Sequence, residues 1–274
     1  MSQKVQFVQA SRPHMSANAA ERPHASTSRC ELCVSRRRGI CAVLPIDQLE
    51  RLSGIARRRT VLANQYIFRD GDEVTTFASI LSGIVKLSKT TSDGEQHIIG
   101  LMYAPEFVGH TFSGQHRFSA AAATAVELCS FPRPSFGRLL IDFPALERWL
   151  FEFTVAELDL CRDWTLMLSR KSSYERVASL LLMIAKRSLS ACAAPAGNSV
   201  EFDLPLMRSE LADYLGLTIE TVSRKISRMK SEGVIELRGT RSVIVPDLDL
   251  LKAAANMESC GDDAERRRLL EVEG

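Results

Sequence analysis

No stretch of the 274-residue chain approaches the roughly 18 consecutive apolar residues of a membrane-crossing helix. The N-terminal MSQKVQFVQASRPHMSANAAERPHASTSR also lacks the apolar core of about 7 to 15 residues that a secretory signal carries. A cytoplasmic protein with no membrane partner is expected. Excess charge of one sign is nearly absent, 35 Lys and Arg standing against 33 Asp and Glu, so any polyanion partner must be read from where the cations lie. There is no glycine-rich nucleotide loop, no Ser/His/Asp grouping and no pair of carboxylates at a catalytic spacing. An enzyme is therefore not expected. The five histidines have no metal-ligand spacing, and His97, His110 and His116 read as strand-end or loop residues.

What is present is the composition of a globular protein, 45% hydrophobic and 25% charged, at a length sufficient for two domains. Residues 1–29, rich in Ser, Ala, Arg, Pro and His without periodicity, read as a disordered arm. From Val61 to about Pro132 short β-favouring runs alternate with Gly71, Gly83, Gly94 and Gly109, each where a strand must turn, and SDGE at 92–95 is a hairpin signal. These features predict a β-roll or jelly roll within 30–144.

From 145 to 171 neither Gly nor Pro interrupts ALERWLFEFTVAELDLCRDWTLMLSRK. Phe151, Thr154, Leu158, Cys161, Thr165 and Leu168 alternate at spacings of three and four, as a coiled-coil seam does. Trp149, Phe153, Leu160, Trp164 and Met167 form a second apolar stripe. The first stripe is assigned to a second copy of the chain and the second to the β-roll, with one broad core-facing helix as the other reading.

Residues 172–250 carry LPLMRSELADYLGLTIETVSRKISRMKSEGVIELRGTRSVIVP. Ala212 is the small residue where two helices touch, Gly216 the left-handed turn, Thr218 the cap, and Val222 and Ile226 the anchors of the next helix. Together they predict a helix-turn-helix, and VIELRGTRSVIV predicts its wing hairpin. Glu220, Thr221, Ser223, Arg224, Lys225 and Arg228 then line the exposed side of the second helix. Arg can bond both acceptors of a guanine, Glu can accept from a cytosine amine, and Ser can meet a thymine edge; Lys225, Arg228 and Lys230 would lie at phosphates. Residues 251–274 read as a polar tail.

Cys30, Cys33 and Cys41 form C-x2-C-x7-C ahead of the β-roll, and Cys129 lies on its last predicted strand. In a reducing compartment clustered thiols read as metal or redox ligands. Four thiolates suit an iron-sulfur cube or a tetrahedral zinc, but zinc would call for two C-x2-C knuckles and one is present. Cys161, Cys192 and Cys260 read as structural or incidental.

The order of β-roll with ILSGIVKL and APEFVG, long helix, and winged helix with YLGLTIETVSR resembles the cyclic-AMP receptor and FNR superfamily of bacterial transcription regulators. The resemblance covers nearly all the chain after the arm. It implies an α+β fold: a cyclic-nucleotide-binding-like roll, a dimerisation helix and a C-terminal winged helix-turn-helix. The E-x-x-S-R pattern at Glu220, Ser223 and Arg224 resembles the FNR branch, and this implies a TTGAT-N4-ATCAA palindrome in double-stranded DNA. Arg224 would meet the guanine, Ser223 the thymine and Glu220 the cytosine. FNR-type sensors hold an oxygen-labile 4Fe-4S cluster on three N-terminal cysteines and one distant one, which implies Cys30, Cys33, Cys41 and Cys129 here, with the x7 spacing of the α-proteobacterial FNR-like subgroup. The implied partners are a second copy of the chain, RNA polymerase, with TTSDGEQ as a candidate contact, and molecular oxygen as the signal. A cyclic-nucleotide ligand is not expected, because Pro105 precedes Glu106 and Phe118 separates Arg117 from Ser119 where the phosphate cradle would be. The other reading is a cluster-free regulator of the same superfamily answering another signal.

Overall fold

The computed structural model describes residues 30–109, 114–191 and 198–256. The expected arm, His110, Cys192, Cys260 and the end of the tail lie outside the described residues. The described residues open with two helices, α1 (Val34–Arg38) and α2 (Ile46–Ile55). Eight strands follow: β1 (Arg57–Val61), β2 (Tyr66–Phe68), β3 (Thr76–Ser82), β4 (Ile84–Thr90), β5 (Gln96–Tyr103), β6 (Phe107–Val108), β7 (Ser119–Ala122) and β8 (Val126–Pro132). They form two four-stranded sheets, β1-β8-β3-β6 and β2-β7-β4-β5. The alternation along β8 explains how the sheets are used. Val126 and Leu128 face inward, packing with Ile80, Val85, Ala120 and Ala122, while Phe131 and Cys129 face outward.

The four recurring glycines all have positive φ. At Gly83 the requirement is also steric, since a Cβ there would stand 2.2 Å from the Ala125 carbonyl oxygen. The SDGE signal does mark a hairpin, β4 pairing antiparallel with β5. Its turn is closed by a Thr91 N–H to Glu95 carbonyl bond of 2.8 Å, so it is longer than a two-residue Asp-Gly turn.

Outside the first sheet, Phe77, Phe107, Phe131 and Phe136 pack with Ile40, Leu44, Leu52 and Leu146. Each fully buried aromatic or leucine contributes about 1.5–3 kcal/mol. This second core is what α1, α2 and α3 (Arg133–Asp142) cover. It also gives the cysteine stretch something to pack against, which its sequence did not reveal: Ile40 and Leu44 are fully buried.

The long helix α4 spans Pro144–Arg170, about 40 Å, with proline tolerated at its first turn. The winged-helix domain comprises α5 (Ser173–Ala191), β9 (Val200–Asp203), α6 (Arg208–Leu215), α7 (Ile219–Ser231), β10 (Glu236–Arg238), β11 (Ser242–Val245) and α8 (Leu248–Ala254). Its small sheet runs β10-β11-β9. The polar tail expected from 251 starts later, because Leu251, Ala254 and Ala255 are buried in this domain's core.

Two readings of α4 need correction. The second stripe does not lie wholly on the β-roll. Trp149 and Phe153, stacked at 5.2 Å, pack there, whereas Trp164 stacks on Tyr214 at 4.3 Å and Met167 enters the winged-helix core; Leu160, between them, is exposed. In the proposed seam, Phe151, Thr154, Leu158, Cys161 and Thr165 are exposed, but Leu168 packs against the winged-helix core. The apolar side chains on the open face are Phe151, Val155, Leu158 and Leu166. A strict a/d count had missed Val155 and Leu166.

Candidate cysteine site and nucleic-acid interface

Cys33 stands just ahead of the short helix α1 with no side-chain cap bond, its backbone N–H donating to the Cys30 carbonyl at 3.2 Å. Arg36 then clamps the returning chain, its Nη1 donating to the carbonyls of Cys41 (2.8 Å) and Leu44 (2.6 Å). The clamp accounts for the wide x7 spacing: the seven residues form a helical turn plus a loop that buries Ile40. The buried Ser35 hydroxyl bonds the Ser79 hydroxyl at 2.7 Å, and Ser79 is the cross-strand partner of Cys129. The segment is thus docked on β3, beside the strand that bears the fourth cysteine. Cys30, Cys41 and Cys129 all pack against the same outer core.

The thiols feel one another. Burial pushes Cys41 up to about 12, and Cys129, Cys33 and Cys30 add to the rise. Burial likewise takes Cys129 up to about 11, with Cys33 and Cys30 adding to it. Cys30 is raised by burial and by Cys33, opposed by Arg58, the cross-strand partner of Cys129. Burial and neighbouring sulfurs thus disfavour the bare thiolates of Cys30, Cys41 and Cys129, a penalty that a bound cation relieves. Among the described residues, however, no group of three or more His, Cys, Asp or Glu side chains is arranged to hold a metal ion. Cys161 is exposed on α4, remote in sequence and environment from this set.

The helix-turn-helix follows from local rules. Gly216 takes the left-handed conformation at φ 61° and closes α6, and the Thr218 hydroxyl accepts from the Thr221 N–H at 3.2 Å to start α7. Val222, Ile226 and Met229 bury one face of α7. Glu220, Ser223, Arg224 and Lys230 are exposed on the other, with Thr221 and Lys225 half-buried at its margin. Arg228 is exposed as well, with its Nε donating to Glu232 at 2.7 Å and its guanidinium 4.6 Å from the Tyr174 ring centroid.

Residues 175–254 match the family model of a Crp-like helix-turn-helix domain, and residues 58–142 that of a cyclic nucleotide-binding domain. The chain is 42% identical over 81% of its length, and 91% of the relative's, to a Rhizobium leguminosarum bv. viciae protein described as "Probable transcriptional activator". It is 38% identical over 86% of its length, and 94% of the relative's, to the transcriptional activator protein FnrL of Cereibacter sphaeroides. The chain belongs to the Crp/Fnr family of transcription activators. The solved structure of FixK2 from Bradyrhizobium japonicum superposes with a TM-score of 0.65 at 28% identity, over 73% of this chain and 97% of that one. Crp/Fnr regulators bind DNA and act as dimers, and are not enzymes.

Arg117 is exposed, and the Ser119 hydroxyl accepts from the Asp70 N–H at 3.0 Å. The Glu106 carboxylate is engaged by Arg187 and by the Tyr103 N–H. His97 and His116 are not in any thiol cluster: His97 pairs with Asp213 at 2.7 Å, and His116 is buried, stacked on Phe68. No helix among the described residues is long and apolar enough to cross a membrane.

Proposed function

We propose that this Crp/Fnr regulator is an oxygen-responsive homodimer that reads a TTGAT-N4-ATCAA-like palindrome and holds a 4Fe-4S cluster on Cys30, Cys33, Cys41 and Cys129. One observation carries the reading: the stretch bearing three cysteines is docked, through Ser35 and Ser79, beside the strand bearing the fourth. Likeness to FnrL supports it. When bound, the cluster supplies an oxygen-sensitive tie between segment and roll. The chain's own residues do the rest. Arg36 holds the loop in its folded path, Arg58 offsets the sulfurs' negative charge from β1, and α4 presents Phe151, Val155, Leu158 and Leu166 to a second copy.

Pairing of α4 sets the two α7 helices about one DNA turn apart, roughly 34 Å. Arg224 then meets the guanine, Ser223 the thymine and Glu220 the cytosine, while Lys225 and Lys230 lie at phosphates. The exposed turn between β4 and β5 is the proposed contact for RNA polymerase. The second reading, a cluster-free regulator answering another signal, is favoured by the lack of a chelating group among the described residues.

Anaerobic purification with iron and sulfide analysis, followed by DNA binding before and after exposure to air, separates the two. The expected result is about four irons per chain, with affinity for the palindrome lost in air and Cys129→Ser unable to hold the iron. A Cys129→Ser protein with full iron would refute the four-ligand assignment.

A further inference from the structure

The loop joining β5 to β6 touches the cysteine segment on one side and the DNA-binding domain on the other. On the first side, Gly39 lies so close to Pro105 that a Cβ at 39 would stand 3.1 Å from both the Pro105 Cβ and its carbonyl oxygen. Ser79, which bonds Ser35, also donates to the Pro105 carbonyl at 3.3 Å. The Glu106 carbonyl accepts from the Ile80 N–H at 2.9 Å, tying the loop to β3. On the other side the Glu106 carboxylate accepts from its own loop, at the Tyr103 N–H (2.9 Å), and from the Arg187 guanidinium. Arg187 sits on α5, whose Val177, Leu180, Leu181 and Ile184 are core residues of the winged-helix domain.

Glu106 is largely buried, with a side-chain exposure of 11%, so its charge needs this partner. Arg187 also lies over the Tyr103 ring, 5.1 Å from the centroid, and Glu157 of α4 is within electrostatic reach of Glu106 and Arg187. The buried Tyr103 hydroxyl has no hydrogen-bond partner among the described residues. The junction is therefore polar and, at Glu106 and Tyr103, largely buried.

We propose that the Glu106–Arg187 ion pair is an intramolecular latch that carries the docking state of the cysteine segment to the DNA-binding domain of the same protomer, beside the route through α4. The proposal rests on reading that segment as the sensing element. Coupling is reciprocal, so a change at Arg187 must be felt at Gly39–Ala42, on the far side of the loop.

The test is hydrogen exchange of the Gly39 and Ala42 amides, which donate to the carbonyls of Ser35 and Gly39, in full-length, iron-free protein. Arg187→Gln should speed their exchange by about fivefold or more, and Arg187→Lys, which keeps the cation but loses the guanidinium over the Tyr103 ring, should restore part of the protection. Glu106→Gln, which keeps an acceptor for the Tyr103 N–H, should match Arg187→Gln and serves if that variant folds poorly. Lys86→Gln breaks a different roll-to-winged-helix pair, Lys86–Glu210, and should leave these amides unchanged. Unchanged exchange in both Arg187→Gln and Glu106→Gln, or equal acceleration in Lys86→Gln, would overturn the latch. Iron uptake is measured separately and bears only on the sensing reading.

Discussion

Arg224 and Arg228 lie one helical turn apart on α7 in different surroundings. Arg224 is exposed and makes no hydrogen bond among the described residues, while Arg228 is held by Glu232 and Tyr174. Arg224→Ala should lose about 1–3 kcal/mol on TTGAT half-sites and relax the preference for guanine, since only that base offers both acceptors. Lys230→Ala should weaken all sequences about equally and make the salt dependence shallower by roughly one ion per subunit. Binding to the consensus, a guanine-substituted site and random DNA over a salt series checks both; an Arg224→Ala protein that keeps its full preference for guanine would mean that α7 lies differently in the groove. The motif itself was legible because it is local. Gly216, Thr218 and the buried Val222 and Ile226 obey offsets of a few residues. The Tyr174 part of the restraint on Arg228 was not, since Tyr174 is far away in sequence, while the Glu232 part is a local i,i+4 pair.

At the scale of elements, α4 was legible as a helix but only in part as an interface. Periodicity tells which faces are apolar but not what covers each face, and α4 crosses three environments: the roll at Trp149 and Phe153, an open middle at Leu160, and the winged helix at Trp164, Met167 and Leu168. A seam counted by heptads therefore included Leu168 and omitted Val155 and Leu166. The open face carries a shallow groove of about 450 Å³ lined by Leu158, Cys161, Arg162, Thr165, Leu166 and Ser169. Leu158 is common to the heptad count and the exposed face. Leu158→Asp would bury a charge against its symmetry mate at a cost of several kcal/mol. The variant is expected to sediment as a monomer and to lose DNA binding; a dimer would place the pairing face elsewhere on α4. The four cysteines were a similar case. Spacing alone left zinc and iron-sulfur open, and nothing in the sequence announced the Ser35–Ser79 bond that docks the segment on β3.

In the whole molecule, two domains recognised separately in the sequence are joined by contacts with no signature there. β4 and β5 meet α6, the first helix of the helix-turn-helix, through Lys86–Glu210, His97–Asp213 and an Ile98 N–H bond to the Asp213 carboxylate of 2.6 Å. In sequence His97 reads as a strand-end or loop residue, and it does lie near the start of β5. The hydrogen bond to Asp213 raises its pKa above the ordinary value, with the charges of Asp213, Glu95 and Asp93 adding to the rise. Because the folded value is raised, the contribution is fully present below the unfolded pKa of about 6.5 and is lost as pH rises through the folded value. Docking of α6 on the roll should accordingly weaken from pH 6 to pH 8.5, read as faster exchange of the Leu211 and Tyr214 amides after correction for the intrinsic pH dependence of exchange. His97→Gln keeps a donor for Asp213 without the titrating charge, and its corrected rates should not change over the same range. Equal pH dependence in the two proteins would assign the effect to another group and leave His97 a purely structural contact.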